Sequence, residues 1–257
     1  MSFMTRQTIS KKIFNFNKIV INTFYRKWII LGILFLLPVI FLLFLYPSTH
    51  NYNTLDIVNE DIKELEILNF IDQNETTLVE NITILNFLGN KPLENITGAM
   101  NLKELVYDKF KGFKKFQIVT IGSADSENSL KNVKKELIKS DELKYWFFAT
   151  ASDEKIKEIY NSLRSVNKLD SSSYTSQVFI VDKQRNQRGR IDDRNDKEIE
   201  KNTNLVGLYS YNSVIVSEIK KKMNDDIRIL FTEYRQKRKG NFNSDIRRIN
   251  NLDGNDE

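Results

Sequence analysis

NFLGNKPLENITGAM, residues 86–100, joins two segments of different periodicity. Before it, NITILNFL (81–88) is an apolar run with β-branched residues, which is typical of a buried central strand. After it, AMNLKELVYDKFK (99–111) has apolar residues at helical spacing. The stretch therefore predicts a strand that passes through a short polar loop into a helix, the repeating unit of an α/β fold.

The apolar segments that follow alternate between the two periodicities. The predicted strands are 65–71, 81–88, 116–122, 145–150 and 177–183, with a hairpin return strand at 187–191. The predicted helices are 99–111, 126–140, 152–163 and a C-terminal helix over 215–234 that Gly240 ends. A charged stretch at 192–204 is predicted to be an exposed insertion. This order predicts an α/β domain whose sheet is covered by helices on both faces.

Residues 28–46, WIILGILFLLPVIFLLFLY, form an uncharged apolar run. At about 1.5 Å of rise per residue a helix of this length reaches about 28 Å, close to the roughly 30 Å hydrocarbon core of a bilayer. Trp28 and Tyr46 bracket the run as interfacial aromatic residues do, and spanning helices accept a kink at Pro38. A cleaved signal peptide is the alternative, but a small-residue cleavage site does not follow. The run predicts a single membrane anchor.

The charges around the run predict its orientation. Six basic residues precede it: Arg6, Lys11, Lys12, Lys18, Arg26 and Lys27. The first acidic residue is Asp56, so the positive-inside rule predicts a cytoplasmic N-terminus. Of 39 Lys and Arg, 33 remain beyond the run against 34 Asp and Glu, a balance of about −1. The basic character of the chain therefore reflects membrane topology and does not indicate nucleic acid as a partner.

These features predict five regions in the chain. They are a basic cytoplasmic N-terminus (1–27), a transmembrane helix (28–46), a polar tether (47–64), the α/β domain (65–239) and a disordered polar tail (240–257). The predicted location is the inner membrane, with the domain in the periplasm or otherwise outside the cytoplasm. The chain has no cysteine, so disulfides and thiolate metal sites are excluded.

Three segments, in this order, resemble the SCO/SenC family, membrane-anchored thioredoxin-like proteins that handle copper and thiols while respiratory oxidases are assembled. The segments are SADSENSLKNVKKEL (123–137), LKYWFFATASDEKIKEIY (143–160) and VFIVDK (178–183). The resemblance covers about 66–234, and it implies a thioredoxin-like fold with a central mixed sheet flanked by helices.

The resemblance also implies where the family's metal and redox site would lie. With Pro92 as reference, the two cysteines of the family motif fall at Lys91 and Asn95, and its copper-binding histidine falls near Tyr174. None of these residues supplies the soft thiolate or imidazole ligand that copper(I) prefers. We therefore expect neither copper binding nor disulfide exchange, and no cofactor.

Other catalytic and metal sites find little support in the sequence. His50 is the only histidine, and a single histidine without thiolate or carboxylate neighbours is more typical of a surface residue. Met100 and Met223 lie on apolar helical faces, where core packing is the simpler interpretation. The serines at 171–173 have no histidine to act as base. The acidic run Asp192, Asp193, Asp196 and Glu198 lacks the spacing of a calcium loop.

The sequence thus predicts a non-enzymatic binding or accessory module for a membrane protein complex, such as the assembling cytochrome oxidase that the resemblance implies. The candidate binding groove comprises Lys91, Pro92, Asn95 and Tyr174. Two alternatives stay open: an enzyme that uses polar residues of this groove, and lipid or nucleic-acid binding through the basic cluster RQKRK at 235–239.

Overall fold

The computed structural model describes residues 23–45, 54–71, 75–139 and 142–240. The chain divides into two units, residues 1–51 and residues 52–257. Three predictions lie outside the described residues. They concern Tyr46, His50 and the polar tail after Gly240.

The described part of the first unit, residues 23–45, is the helix α1 (Thr23–Leu45). Its segment Arg26–Phe44 is long and apolar enough to cross a membrane, with a mean hydropathy of 2.6 and no buried residue. Pro38 lies within the helix, as predicted, and the side chain of Trp28 is exposed. Length and composition thus make α1 a candidate membrane anchor, although a signal sequence would satisfy the same criterion.

The second unit is built around a mixed sheet. Its strands are β1 (Asp56–Asn59), β2 (Asn69–Phe70), β3 (Ile82–Gly89), β4 (Phe116–Ser123), β5 (Trp146–Ala151), β6 (Tyr174–Val181), β7 (Gln187–Gly189) and β8 (Tyr211–Asn212). Its helices are α2 (Ile96–Leu102), α3 (Asp108–Phe110), α4 (Glu127–Ile138), α5 (Asp153–Asn161), α6 (Asp196–Glu200), α7 (Val216–Glu218) and α8 (Asn224–Arg238). A π turn at Lys103–Tyr107 joins α2 to α3, and another at Ile219–Met223 joins α7 to α8.

The strand order is β1-β7-β6-β3-β4-β5-β2, and β8 pairs with β6. The central strand β3 is parallel to β4 and antiparallel to β6, while β4 and β5 are parallel. A β–α–β unit of parallel strands is thus followed by an antiparallel hairpin, β6–β7, and a C-terminal helix. This arrangement is the α/β fold predicted from the order of the segments, and it has the thioredoxin-like form that the resemblance implied.

Apolar side chains are buried on both faces of the sheet. On one face, Ile84 of β3 packs with residues of α2, α4 and α8. On the other face, Phe87 of β3 packs with α5 and with Leu65. Because β3 is buried along its whole length, its sequence is an apolar run and does not alternate with polar residues.

The structure differs from the predicted tether at its C-terminal end. Asp56–Asn59 is strand β1, which pairs antiparallel with β7 at the edge of the sheet. Val58 and Ile62 are buried. The alternation of apolar and polar residues is too short here to identify an edge strand, so the α/β domain begins before residue 65.

Two predicted elements also have different forms. Residues 65–71 are not one strand: Leu65–Ile67 is a 3₁₀ helix, and only Asn69–Phe70 pairs with β5. The C-terminal helix contains the π turn, and α8 ends at Arg238, just before Gly240 with φ of +71°. A glycine in the left-handed region at this position ends the helix, as predicted.

Candidate functional site

Gly89 fixes the geometry at the C-terminal end of β3. Its φ is +65°, a conformation that favours glycine. A methyl group at this position would lie 2.2 Å from the carbonyl oxygen of Ser172 and 2.9 Å from the backbone nitrogen of Tyr174. The backbone N–H of Asn90 donates to the same carbonyl of Ser172 (2.9 Å). The loop after β3 and the segment before β6 are therefore in direct contact.

The loop that was predicted to replace the family's thiol motif is held by its own side chains. Lys91 and Glu94 form an exposed ion pair (3.2 Å), and Pro92 is buried. The amide Nδ2 of Asn95 donates to the carbonyl oxygen of Leu88 (3.0 Å), and the backbone N–H of Asn95 donates to the carbonyl of Lys91. The positive charge of Lys91 is thus paired with Glu94, and the amide of Asn95 is turned inward.

Tyr174 begins β6 directly beside this loop, in register with Leu88 of β3. Its ring is half-buried against the core. Burial, together with the negative charge of Asp170, raises the pKa of Tyr174 above that of a free tyrosine. The phenol therefore stays neutral at physiological pH and can act as a hydrogen-bond donor.

Asp170 organises the turn that precedes Tyr174. Its Oδ1 accepts hydrogen bonds from the backbone N–H of Ser172 (2.8 Å), the Ser172 hydroxyl (2.7 Å) and the backbone N–H of Tyr174 (2.8 Å). Partial burial opposes ionisation, but these hydrogen bonds outweigh it and lower the pKa of Asp170. The ionised carboxylate thus holds the turn in shape and fixes the backbone of Tyr174.

A second polar network links the C-terminal ends of the central strands. The hydroxyls of Ser173 and Ser123 donate to Oδ1 of Asp153 (2.8 and 3.2 Å). The hydroxyl of Ser126 contacts the carbonyl oxygens of Gly89 (3.1 Å) and Ser123 (2.7 Å). Sequence reasoning missed this network, although Ser123, Ser126 and Asp153 fall in the segments 123–137 and 143–160 that resemble the SCO/SenC family. The hydroxyls are engaged with carboxylate and carbonyl groups, which is the arrangement of a structural network.

The four residues of the predicted binding groove are therefore close to one another in the fold. The structure brings Lys91, Pro92, Asn95 and Tyr174 to one edge of the sheet, at the end of β3 and the start of β6. A cavity of about 350 Å³ lies elsewhere, at the start of β5, between Lys134, Leu143 and Trp146.

The two methionines considered as metal ligands differ in burial. Met223 is buried in the core, as predicted, whereas Met100 is exposed. Asp192 and Asp193 form ion pairs with Arg194 and Arg190, both at 2.7 Å. Among residues 23–45, 54–71, 75–139 and 142–240, no group of three or more His, Cys, Asp or Glu side chains could hold a metal ion.

Two ionic networks join the β6–β7 hairpin to α8. Arg188 is buried and pairs with Glu233, which also pairs with Lys237 (2.7 Å). Arg190 makes a bidentate contact with the buried carboxylate of Asp226, which also accepts from the hydroxyl of Tyr211 (2.6 Å). Part of the basic cluster at 235–239 is thus used within the fold, because Lys237 neutralises a buried glutamate.

Fold and site together define a cysteine-free, thioredoxin-like α/β protein in which helix α1 is a candidate membrane anchor. No family model matches its sequence, and no curated protein matches it.

Solved structures of Sco/SenC proteins are similar to it. BsSco, described as a member of the Sco family of cytochrome c oxidase assembly proteins, is 12% identical, with 69% of this chain and 98% of that chain covered and a TM-score of 0.45. A SCO1/SenC family lipoprotein from Bacillus anthracis is 11% identical, with 68% of this chain and 97% of that chain covered and a TM-score of 0.46. ScoI from Arabidopsis thaliana with copper bound is 19% identical, with 63% of this chain and 94% of that chain covered and a TM-score of 0.39. Because identities and scores are this low, the assignment of the fold rests on the strand order and connections described above.

Proposed function

We propose that this chain is a membrane-anchored, extracytoplasmic binding module that serves a membrane protein complex without redox or copper chemistry. The observation that carries the proposal is the loop after β3: a loop without sulfur, closed by the Lys91–Glu94 ion pair and by the inward amide of Asn95. A respiratory cytochrome oxidase during its assembly is the partner that the sequence resemblance implies.

The absence of cysteine from the whole sequence supports the first half of the proposal. A thiolate is the nucleophile of disulfide exchange and, with imidazole, the ligand that copper(I) prefers. At the positions matched to the family motif, the ammonium of Lys91, the amide of Asn95 and the phenol of Tyr174 provide neither. We expect the purified full chain to fail both to reduce an insulin disulfide and to retain copper(I) against a chromophoric chelator. A stoichiometric copper(I) complex that survives the competition would contradict the proposal.

The surface of the loop supports the second half. Leu93 is exposed between the two members of the ion pair, Lys91 and Glu94, and the ring of Tyr174 is half-buried at the adjacent strand end. An apolar side chain flanked by opposite charges, with a nearby tyrosine, suits a protein segment that carries both an apolar anchor and polar groups. The contacts at Gly89 and Asp170 hold this surface in shape before binding, which lowers the entropic cost of association.

A cross-linking experiment tests this surface. A photoreactive amino acid replaces Leu93 in one variant and the exposed Val166, on the loop after α5, in another. In native membranes we expect a discrete cross-linked product from position 93 and none of the same mass from position 166. The double variant Lys91→Glu/Tyr174→Ala should abolish this product.

The matched control is Lys144→Glu/Tyr145→Ala, the same pair of changes at the opposite end of the sheet. It should leave the product unchanged. If Lys91→Glu/Tyr174→Ala folds, reaches the membrane and still gives the product at the same yield, this loop is not the binding surface.

A further inference from the structure

Three consecutive apolar residues are exposed on the second unit beside two lysines. Val214, Ile215 and Val216 have exposed fractions of 42, 46 and 44%. Lys220 and Lys221 follow one turn later in the same helical segment, and both are exposed. We refer to these five residues as the apolar–basic patch.

The exposure of this patch is not the result of a loose loop. Ser213 is buried, and its hydroxyl and backbone N–H both bond to the carbonyl of Ser176 (2.8 Å each). The side chain of Asn101 donates to the carbonyls of Ser213 (2.9 Å) and Val214 (3.3 Å). A methyl group at Gly98 of α2 would lie only 2.3 Å from the Ser213 hydroxyl. The backbone is therefore fixed on both sides while the next three side chains point into solvent.

The two lysines are not neutralised within the fold. Neither Lys220 nor Lys221 forms an ion pair with any residue of the described ranges. The next lysine, Lys222, differs because it pairs with Asp193. The nearest acidic side chain along the chain, Glu218, accepts a hydrogen bond from the backbone of Asn212 (2.8 Å). The patch thus combines exposed apolar area with two unpaired positive charges.

We propose that the apolar–basic patch is a membrane-contact surface, with the headgroups and upper acyl region of an anionic bilayer as its occupant. Apolar side chains that enter the interfacial region next to lysines that meet lipid phosphates are the combination by which peripheral segments bind such bilayers. A patch of this size binds weakly in isolation. Attachment to a membrane anchor raises its effective concentration at the bilayer, so weak contact becomes sufficient.

The inference rests on the membrane anchor of the proposed function and adds a second, independent contact with the same bilayer. It differs from the alternative based on the basic cluster at 235–239, because that cluster is separate in sequence and Lys237 is paired with Glu233.

The lack of cysteine makes a site-specific test direct. Ile215→Cys in the full chain carries an environment-sensitive fluorophore, and Val166→Cys is the control. Val166 follows α5, which packs on the opposite face of the sheet from Ile219 and Met223. Both variants are reconstituted in nanodiscs of phosphatidylcholine, with or without phosphatidylglycerol, that contain lipids with a quencher near the headgroup. Val214→Cys replaces Ile215→Cys if the latter fails to fold.

We expect a loss of fluorescence at position 215 in nanodiscs with phosphatidylglycerol, a smaller loss without it, and none at position 166. Added salt should weaken the effect, because it screens the lysines. In the Ile215→Cys background, Lys220→Glu/Lys221→Glu should abolish quenching. The same double reversal on α5, Lys155→Glu/Lys157→Glu, should not.

The outcomes separate this inference from the proposed function. If the chain co-elutes with nanodiscs but position 215 is not quenched, or if position 166 is quenched equally, the patch is not a membrane-contact surface and the anchor stands. If the chain does not enter nanodiscs, the assignment of the anchor is wrong. Quenching at position 215 by added vesicles of the same lipids then tests the patch alone. A protein cross-link at position 215 in native membranes, without quenching by lipid, would assign the patch to a protein partner and overturn the proposal.

Discussion

At Gly89 the central strand gives way to the candidate binding loop with a backbone that only glycine adopts freely. The position has φ of +65° and no space for a methyl group, since Ser172 and Tyr174 lie against it. Both constraints would be violated by the same atom, the Cβ that any other residue would add. The loop after β3 and the turn before β6 can therefore meet only if this residue lacks a side chain.

We expect Gly89→Ala to lower the free energy of unfolding by about 2 kcal/mol or more, through the left-handed backbone and the close contact. The matched control is Gly112→Ala, which has open space and no positive φ and should change stability little. Denaturant unfolding of the detergent-solubilised chain measures both variants. The buried indole of Trp146 serves as reporter in a Trp28→Phe background. Equal stability of the two variants would show that the loop adapts at Gly89.

Asp170 gives a pH-dependent prediction at the same site. Its pKa is lowered in the folded state, so its carboxylate contributes stability above the unfolded pKa of about 3.9, and this contribution is lost as pH falls through the folded pKa. Because the carboxylate is mostly solvent-exposed, we expect Asp170→Ala to cost about 1 kcal/mol or less at neutral pH. The difference between wild type and variant should shrink below about pH 4. A difference that is constant from pH 7 to pH 3 would assign the effect to packing and not to the charge.

The side chains of the candidate site could be predicted only in part. The resemblance to the SCO/SenC family implied that Lys91, Asn95 and Tyr174 share one site, and in the structure they lie at one edge of the sheet. Their partners could not be predicted, because Glu94 meets Lys91 within one turn of loop and the Asn95 amide finds a carbonyl seven residues back. Such contacts depend on loop dihedrals that no periodicity encodes.

At the scale of elements, β1 shows how an edge strand escapes detection. Asp56–Asn59 has only four residues and pairs with β7 on one side, so little of it is buried. Its register with Gly189 and Arg188 is a long-range contact between residues that are far apart in the sequence. By contrast, β3 and β4 are buried along their whole length and could be predicted from their apolar runs alone.

A single substitution distinguishes an edge strand from a tether. Ile62 follows β1 and is fully buried, and its backbone N–H donates to the carbonyl of Arg185 (2.9 Å). We expect Ile62→Ala to lower the free energy of unfolding by about 2–4 kcal/mol through the cavity it leaves. Ile199→Ala, at a half-exposed position on α6, should have an effect below about 0.5 kcal/mol. If both substitutions are neutral in denaturant unfolding, residues before 65 do not belong to the folded core.

The π turns are a second limit of prediction from periodicity. Apolar residues that step by three and four predicted one regular helix over 215–234, and the structure is helical there. Within that span, Ile219–Met223 widens to a π turn and keeps both Ile219 and Met223 buried. A step of four residues stays close to one face both in an α-helix and in a π turn, so the pattern could not reveal the π turn.

For the whole molecule, the order of elements was enough to predict the fold class, because each strand–helix alternation constrains where the next strand can pair. The two buried ionic networks could not be foreseen. Arg188 and Glu233 are 45 residues apart, and both look like ordinary surface charges in the sequence. Their pairing lets the hairpin dock on α8 without leaving an isolated charge in the core.

The asymmetry of charge leads to the last prediction, which concerns the orientation of the chain. Six basic residues and no acidic residue precede the apolar run at 28–46, so we expect the segment before this run to stay in the cytoplasm and the α/β domain to lie outside it. Single cysteines again give a direct test in this cysteine-free chain. In intact spheroplasts of a bacterial host, a membrane-impermeant maleimide should label Val166→Cys, which lies on an exposed loop of the domain. Ser10→Cys, on the other side of the anchor, should be labelled only after lysis. Labelling of both sites only after lysis would mean that the domain is cytoplasmic. The reverse pattern, with Ser10→Cys labelled from outside, would show that the charge asymmetry does not set the orientation of this protein.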